Sequence, residues 1–192
     1  MDKKKIRILF LDDDDELEIV NILKDEGYDV AHWHDVESLE SMSDGRYQII
    51  FYDVRGVGEK LKGNGLDVLQ YVATHNPLVF NVVFSAKPFS GRENEITRKY
   101  ANKVLMKDCT AYEVMGVIDS YVTSMSKEQI VAELGKYVKL GFFEKRNILA
   151  GRELNEKQIS KIISRTKLAN EYVGLAANVT KLAAGLVAVL SI

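Results

Sequence analysis

Over its first 125 residues the chain switches repeatedly between two hydrophobic periods, and this confines it to one broad architecture. Residues 6–11 form a short, nearly continuous apolar run, as a strand buried on both faces requires. Leu17, Ile19, Val20, Ile22 and Leu23 follow at helical spacing, and Gly27 ends that stretch. The same pairing recurs. Further strand-like runs lie at 28–33, 47–52, 78–84 and 104–106, with helical or polar segments between them. Asp35 is placed to cap a short helix carrying Val36, Leu39 and Met42, and Thr110 to open one reaching Val122. Five strands alternating with five helices predict an α/β fold: a doubly wound parallel sheet covered on both faces.

Charge divides the chain near residue 125. Residues 1–125 carry 15 Lys and Arg against 22 Asp and Glu, a net of −7, whereas residues 126–192 carry 11 against 6, a net of +5. A domain over 1–125 and an all-α C-terminal module over 126–192 are therefore expected. Ser126 and Gln129 form a capping-box pair opening a helix to about residue 140. Asn155 and Gln158 precede a longer helical stretch to about residue 190. The small overall net charge of −2 argues against a strongly basic nucleic-acid binder. The lone cysteine, Cys109, excludes an intrachain disulfide and suggests a reduced, cytoplasmic setting. The N-terminal apolar run is too short for an export signal, and the uncharged end at 182–192 is too short to span a bilayer.

In open α/β sheets, ligands bind beyond the carboxyl ends of the strands. After the first strand come Asp12 and Asp13, at the end of the third Asp53, of the fourth Ser85 and of the fifth Lys107. Three crowded carboxylates repel one another, and a Mg²⁺ ion, which takes carboxylates, waters and phosphate oxygens, would relieve that repulsion. A carboxylate can attack phosphorus, and the transferred group needs its oxygens neutralised. In this scheme Asp12 and Asp13 hold the metal and Asp53 is the nucleophile. Lys107 is the positive clamp, Ser85 the hydroxyl donor, and the small Ala86 leaves the site open.

Five segments, at 8–17, 49–53, 65–69, 82–86 and 104–107, together resemble response-regulator receiver domains over about residues 5–125. The resemblance implies a flavodoxin-like sheet of order 2-1-3-4-5. It also implies Mg²⁺-dependent phosphorylation of Asp53 by a sensor histidine kinase or phosphotransfer protein, with Asp53 itself and the backbone carbonyl of Arg55 joining Asp12 and Asp13 as metal ligands. Such a chain is a phosphoryl acceptor with at most slow self-dephosphorylation rather than an enzyme. Where receivers usually have a proline, this chain has Val57, and the following glycine, Gly65, comes about four residues late. Val104 replaces the aromatic switch, and Asp108 replaces the proline after Lys107. These departures leave a phosphorylation-independent receiver as an alternative.

Other readings carry less. Asp12–Asp15 could be ordinary helix-dipole acids. His32 and His34 share a strand face but lack a third ligand. Cys109 has no catalytic partner nearby in sequence. The segment at 58–63 has P-loop glycine spacing, but Asn64 and Gly65 replace the required Lys-Ser/Thr. A dehalogenase-type hydrolase would find its second acid within Asp12–Asp14 but has no use for Asp53. In the C-terminal module, Tyr172, Leu175, Val179, Leu182, Leu186 and Val189 make a coiled-coil-like seam beside a second apolar stripe. This suggests a homodimer or docking bundle. DNA binding through Lys157, Lys161, Arg165 and Lys167 is the rival, without a clear helix-turn-helix. A membrane-surface helix would have Lys181 as its only basic residue.

Overall fold

Strands with alternating side-chain directions can bury both faces only if helices cover both. The computed structural model, which describes residues 3–152, 154–166 and 173–190, has that arrangement. Five parallel strands lie in the order β2-β1-β3-β4-β5: β1 Arg7–Leu11, β2 Asp29–Trp33, β3 Ile49–Tyr52, β4 Phe80–Ser85 and β5 Lys103–Met106. Five helices alternate with them: α1 Glu18–Asp25, α2 Leu39–Met42, α3 Gly65–His75, α4 Gly91–Tyr100 and α5 Ala111–Ser124. The expected fold class and strand order are both present.

Even-numbered positions of β1 face α1 and α5. There Ile8, Phe10, Phe51 and Phe84 pack with Leu23, Val114 and Ile118, and the rings of Phe10 and Phe51 stack at 4.3 Å. Odd-numbered positions, with Ile50, Tyr52 and Val83, face α3 through Leu66, Leu69 and Val72. Register carries the strand ends to one edge. Leu11 pairs with Tyr52 and Ser85 with Met106, so the residues that follow these strands emerge together.

The second apolar layer does not stop at residue 125. It continues into α6 Lys127–Leu134, α7 Phe142–Leu149, α8 Glu156–Thr166 and α9 Val173–Val189. Ser126 caps α6 reciprocally with Gln129, as its sequence predicts, but the helix ends at Leu134 and a separate α7 follows. Val179, Leu182, Leu186 and Val189 of the coiled-coil-like seam are all buried, and so are Ala176, Ala183 and Val187 of the adjoining stripe. The described residues of both stripes are thus largely covered within this chain, with Leu175 partly buried; Tyr172 and Ala169 lie outside the described residues. Helix α9 packs on α6, α7, α8 and the 3-10 turn at Lys3–Lys5. It reaches the amino ends of the strands: a side chain at Gly185 would press on the Gln48 amide and the Arg7 guanidinium, and one at Gly45 on the Asn178 carbonyl.

Of the basic residues considered for DNA contact, Arg165 is committed elsewhere. It pairs with the buried Glu144 at 3.1 Å, while Lys157 and Lys161 are exposed and Lys167 lies outside the described residues. Among the described residues no helix is long and apolar enough to cross a membrane.

Candidate functional site at the carboxyl edge of the sheet

The carboxyl ends of β1, β3 and β5 bring Asp12, Asp13, Asp53 and Lys107 together. Backbone bonds fix the two buried acids as extensions of their strands: Asp12 N donates to the Trp33 carbonyl at 3.0 Å, and Asp53 N to that of Leu11 at 2.8 Å. Oxygens of Asp12, Asp13 and Asp53 all lie within 4.8 Å of one another. The Lys107 ammonium bridges two of them, donating to Asp12 Oδ1 at 2.8 Å and Asp53 Oδ2 at 2.5 Å. Asp12 and Asp53 are buried and Asp13 is exposed.

The electrostatics follow from that crowding. Burial raises the pKa of Asp12, and the bond from Lys107 opposes the rise without cancelling it. Burial lowers that of Lys107, but its bonds to Asp12 and Asp53 prevail and the net shift is upward. Asp53 Oδ1 accepts from the amides of Val54 at 2.6 Å and Arg55 at 3.3 Å, which leaves its carboxylate oriented on both sides. Asp12 Oδ2 is buried with no hydrogen-bond partner. A buried unpartnered carboxylate oxygen is costly, and a hard cation with oxygen ligands would satisfy it. The donor set therefore fits Mg²⁺.

Two glycines let the backbone come this close. A side chain at Gly65 would overlap the carbonyl oxygen of Asp53, and one at Gly56, which has φ +78°, would overlap the Asp13 carboxylate. The aspartate run is not a helix cap. Helix α1 begins after Leu17 with no side-chain capping bond, while Asp12 Oδ1 accepts from Asp14 N and Asp14 Oδ1 from Glu16 N.

The remaining sequence-derived residues sit as follows. Ser85 is buried at the end of β4, but its hydroxyl donates to the Lys87 carbonyl at 3.0 Å rather than to the acids. Val104 is 40% exposed on the edge strand. The Lys107–Asp108 bond is trans, as are all peptide bonds among the described residues. His32 Nε2 donates to the Asp12 carbonyl, 2.9 Å away, and His34 lies 3.5 Å from Asp15. The pair therefore buttresses the first loop, and it forms no metal cluster among the described residues.

Asp35 is the residue that sequence reasoning misplaced. Ser38, not Asp35, caps α2. The Asp35 carboxylate instead accepts from the amides of Gly58 and Lys60 across the sheet edge. No local pattern announces a bond between residues 23 and 25 positions apart.

No protein-family model matches the chain, and no curated protein does. Solved structures do. A response regulator receiver domain protein (CheY-like) from Methanospirillum hungatei superposes with a TM-score of 0.52 at 18% identity, over 64% of this chain and 98% of that one. The chemotaxis protein CheY4 of Vibrio cholerae gives 0.50 at 18% identity, over 59% and 96%. This chain has the receiver fold. NtrX from Brucella abortus gives 0.53 at 21% identity, over 74% of this chain but only 34% of its own. The receiver fold accounts for the sheet and its five covering helices, and the acid cluster occupies the edge where such sheets place their ligands.

Proposed function

We propose that the chain is a two-component response regulator that accepts a phosphoryl group on Asp53. The observation that carries this is the Lys107 ammonium held between Asp12 and Asp53, with Asp13 alongside, at the ends of three different strands. Asp53 is the nucleophile: its carboxylate is ordered by two amides and one ammonium, so attack on an incoming phosphorus needs little reorganisation. As the bond from Asp53 to phosphorus forms, the donor's bond to that phosphorus breaks and its leaving group departs with the electron pair. Lys107 then neutralises an equatorial phosphoryl oxygen. Asp12 and Asp13, with the Arg55 carbonyl, would hold Mg²⁺, which when bound supplies the remaining positive charge. Ser85 joins by rotating its hydroxyl away from Lys87.

The phosphodonor in the cell is a sensor histidine kinase or phosphotransfer protein, and the product is lost only by slow hydrolysis. Output runs through protein contacts of the helical module. Phe142 and Phe143 support this, being 75% and 73% exposed on α7, whereas both stripes of α9 are already largely covered. A homodimer would need a surface other than the α9 seam. DNA binding is the weaker output, with Arg165 tied to Glu144.

Intact mass after incubation with acetyl phosphate and Mg²⁺ tests the reading. One phosphoryl adduct is expected, lost in Asp53→Asn and in the absence of the metal. An adduct surviving in Asp53→Asn would refute the site.

A further inference from the structure

The loop after β3 is longer than receivers usually have, yet it is tied down outside the acid cluster, chiefly by Asp35 and more loosely by an exposed Glu37–Lys60 pair at 3.8 Å. Asp35, between β2 and α2, sends its carboxylate to that loop. Oδ1 accepts from Val36 N at 2.7 Å and from Gly58 N, and Oδ2 from Lys60 N at 3.2 Å. Bonds from amides to an ionised carboxylate are about twice as strong as neutral ones. The carboxyl stays ionised because, although burial raises its pKa, the three amides and Lys60 hold it below the ordinary range.

From this anchor the loop closes on itself. Gly58 accepts from Leu61 N and Gly63 N, and Gly65 N reaches the Val54 carbonyl at 3.3 Å. Val57 is fully buried. Gly58 takes φ +79°, a conformation that L side chains rarely adopt. Two residues earlier, the Gly56 backbone lies so close to Asp13 that a methyl group would overlap the carboxylate. A continuous mechanical path thus runs from Asp35 through Gly58 to Gly56 and Asp13.

We propose that Asp35 is a positioning residue for the acid cluster, holding the loop at 54–62 so that Gly56 sets the place of Asp13 and Arg55 the place of its carbonyl. This rests on the reading that the cluster takes a divalent cation. Asp35 touches neither the cation nor the phosphoryl group; its effect passes through the backbone.

The test is Mg²⁺ affinity of the full chain by titration calorimetry, beside thermal unfolding without metal and trypsin cleavage after Arg55, Lys60 and Lys62. Outer supports of metal ligands typically carry about 10–100-fold in affinity, so Asp35→Ala should weaken Mg²⁺ binding by at least about tenfold. It should also speed cleavage within the loop. Asp35→Asn, which keeps one acceptor oxygen, should fall between Asp35→Ala and the wild type. Gly56→Ala should match Asp35→Ala with no change of charge. Glu37→Gln removes a negative charge two residues from Asp35 together with its long, solvent-exposed pair to Lys60, and should stay within about twofold, because exposed ion pairs contribute little.

A wild type that binds no Mg²⁺ ends the cation reading itself. A wild type that binds, with Asp35→Ala binding equally well, overturns the positioning role alone, whatever Gly56→Ala does. A loss in Glu37→Gln equal to that in Asp35→Ala also overturns it, since charge alone would then explain the effect. If Asp35→Ala does not fold, Asp35→Asn decides the matter on the same criteria.

Discussion

Replacing Lys107 with methionine keeps most of the length of the side chain and removes the charge between Asp12 and Asp53. Asp12 is 1% exposed and Asp53 8%, so neither acid can recruit water freely in compensation. Breaking a buried ion pair by deleting one partner typically costs about 3–5 kcal/mol. The Lys107 side chain is itself 20% exposed, which admits some solvent and puts the expectation near the lower end, about 3 kcal/mol. The assay is urea unfolding at neutral pH without metal, followed by circular dichroism, the loss appearing as a lower midpoint at unchanged slope. The pH dependence has a definite sign. Without Lys107 only the amide of Asp14 still lowers the Asp12 pKa, against burial and the Asp53 charge, which raise it. An acid whose folded-state pKa is raised contributes stability at low pH that is lost as pH rises through that pKa. Acidification from neutral pH should therefore narrow the gap between variant and wild type. Mg²⁺ should narrow it too, by restoring positive charge among the acids. A variant as stable as the wild type at neutral pH, or a gap that is insensitive to acid, would show that the bridge is not what holds these carboxylates.

Three further outcomes are expected. Gly65→Ala forces a methyl group onto the Asp53 carbonyl and should destabilise by more than about 3 kcal/mol or prevent folding, read by thermal unfolding. Arg165→Ala strands the buried Glu144 and should cost about 1–3 kcal/mol at neutral pH, discounted because Arg165 is one-third exposed. Arg165 holds the Glu144 carboxyl below its ordinary pKa, so that loss should fade as pH falls through the carboxylate range. Leu186→Ala, in the layer shared by α9 and the sheet, should cost about 2–4 kcal/mol and shift far-UV and Trp33 fluorescence transitions together; a shift confined to one probe would mean that the helices unfold separately.

The sheet was legible because its signals are local and redundant. Each strand announces itself by an apolar run, and the acids and lysine follow directly at the strand ends. What escaped depends on partners distant in sequence. Asp35 looks like a helix cap because an aspartate before Val36 and Leu39 suits one, but its bonds go to Gly58 and Lys60. The seam of Val179, Leu182 and Leu186 has the spacing of a helix meeting another copy, and the same spacing serves a helix lying on its own sheet. Helix α7 was missed because only Glu144 and Ile148 of its eight residues are buried, while Phe142 and Phe143 point outward, so no apolar periodicity marks it. Ser85 was read for its residue type, whereas the rotation of its hydroxyl toward Lys87 is set by the following loop.

Because α9 meets Arg7 and Gln48, while Asp12 and Asp53 stand five positions further along the same two stretches of chain, the acid edge and the helical tail are joined by a pair of short, stiff rods. At roughly 3.3 Å per residue, they stand about 16 Å apart. Whatever ion or group occupies one end can be sensed at the other only if the rods shift as units. Thermodynamic reciprocity then demands that loosening the tail change cation affinity by the same factor as the cation changes the seating of the tail.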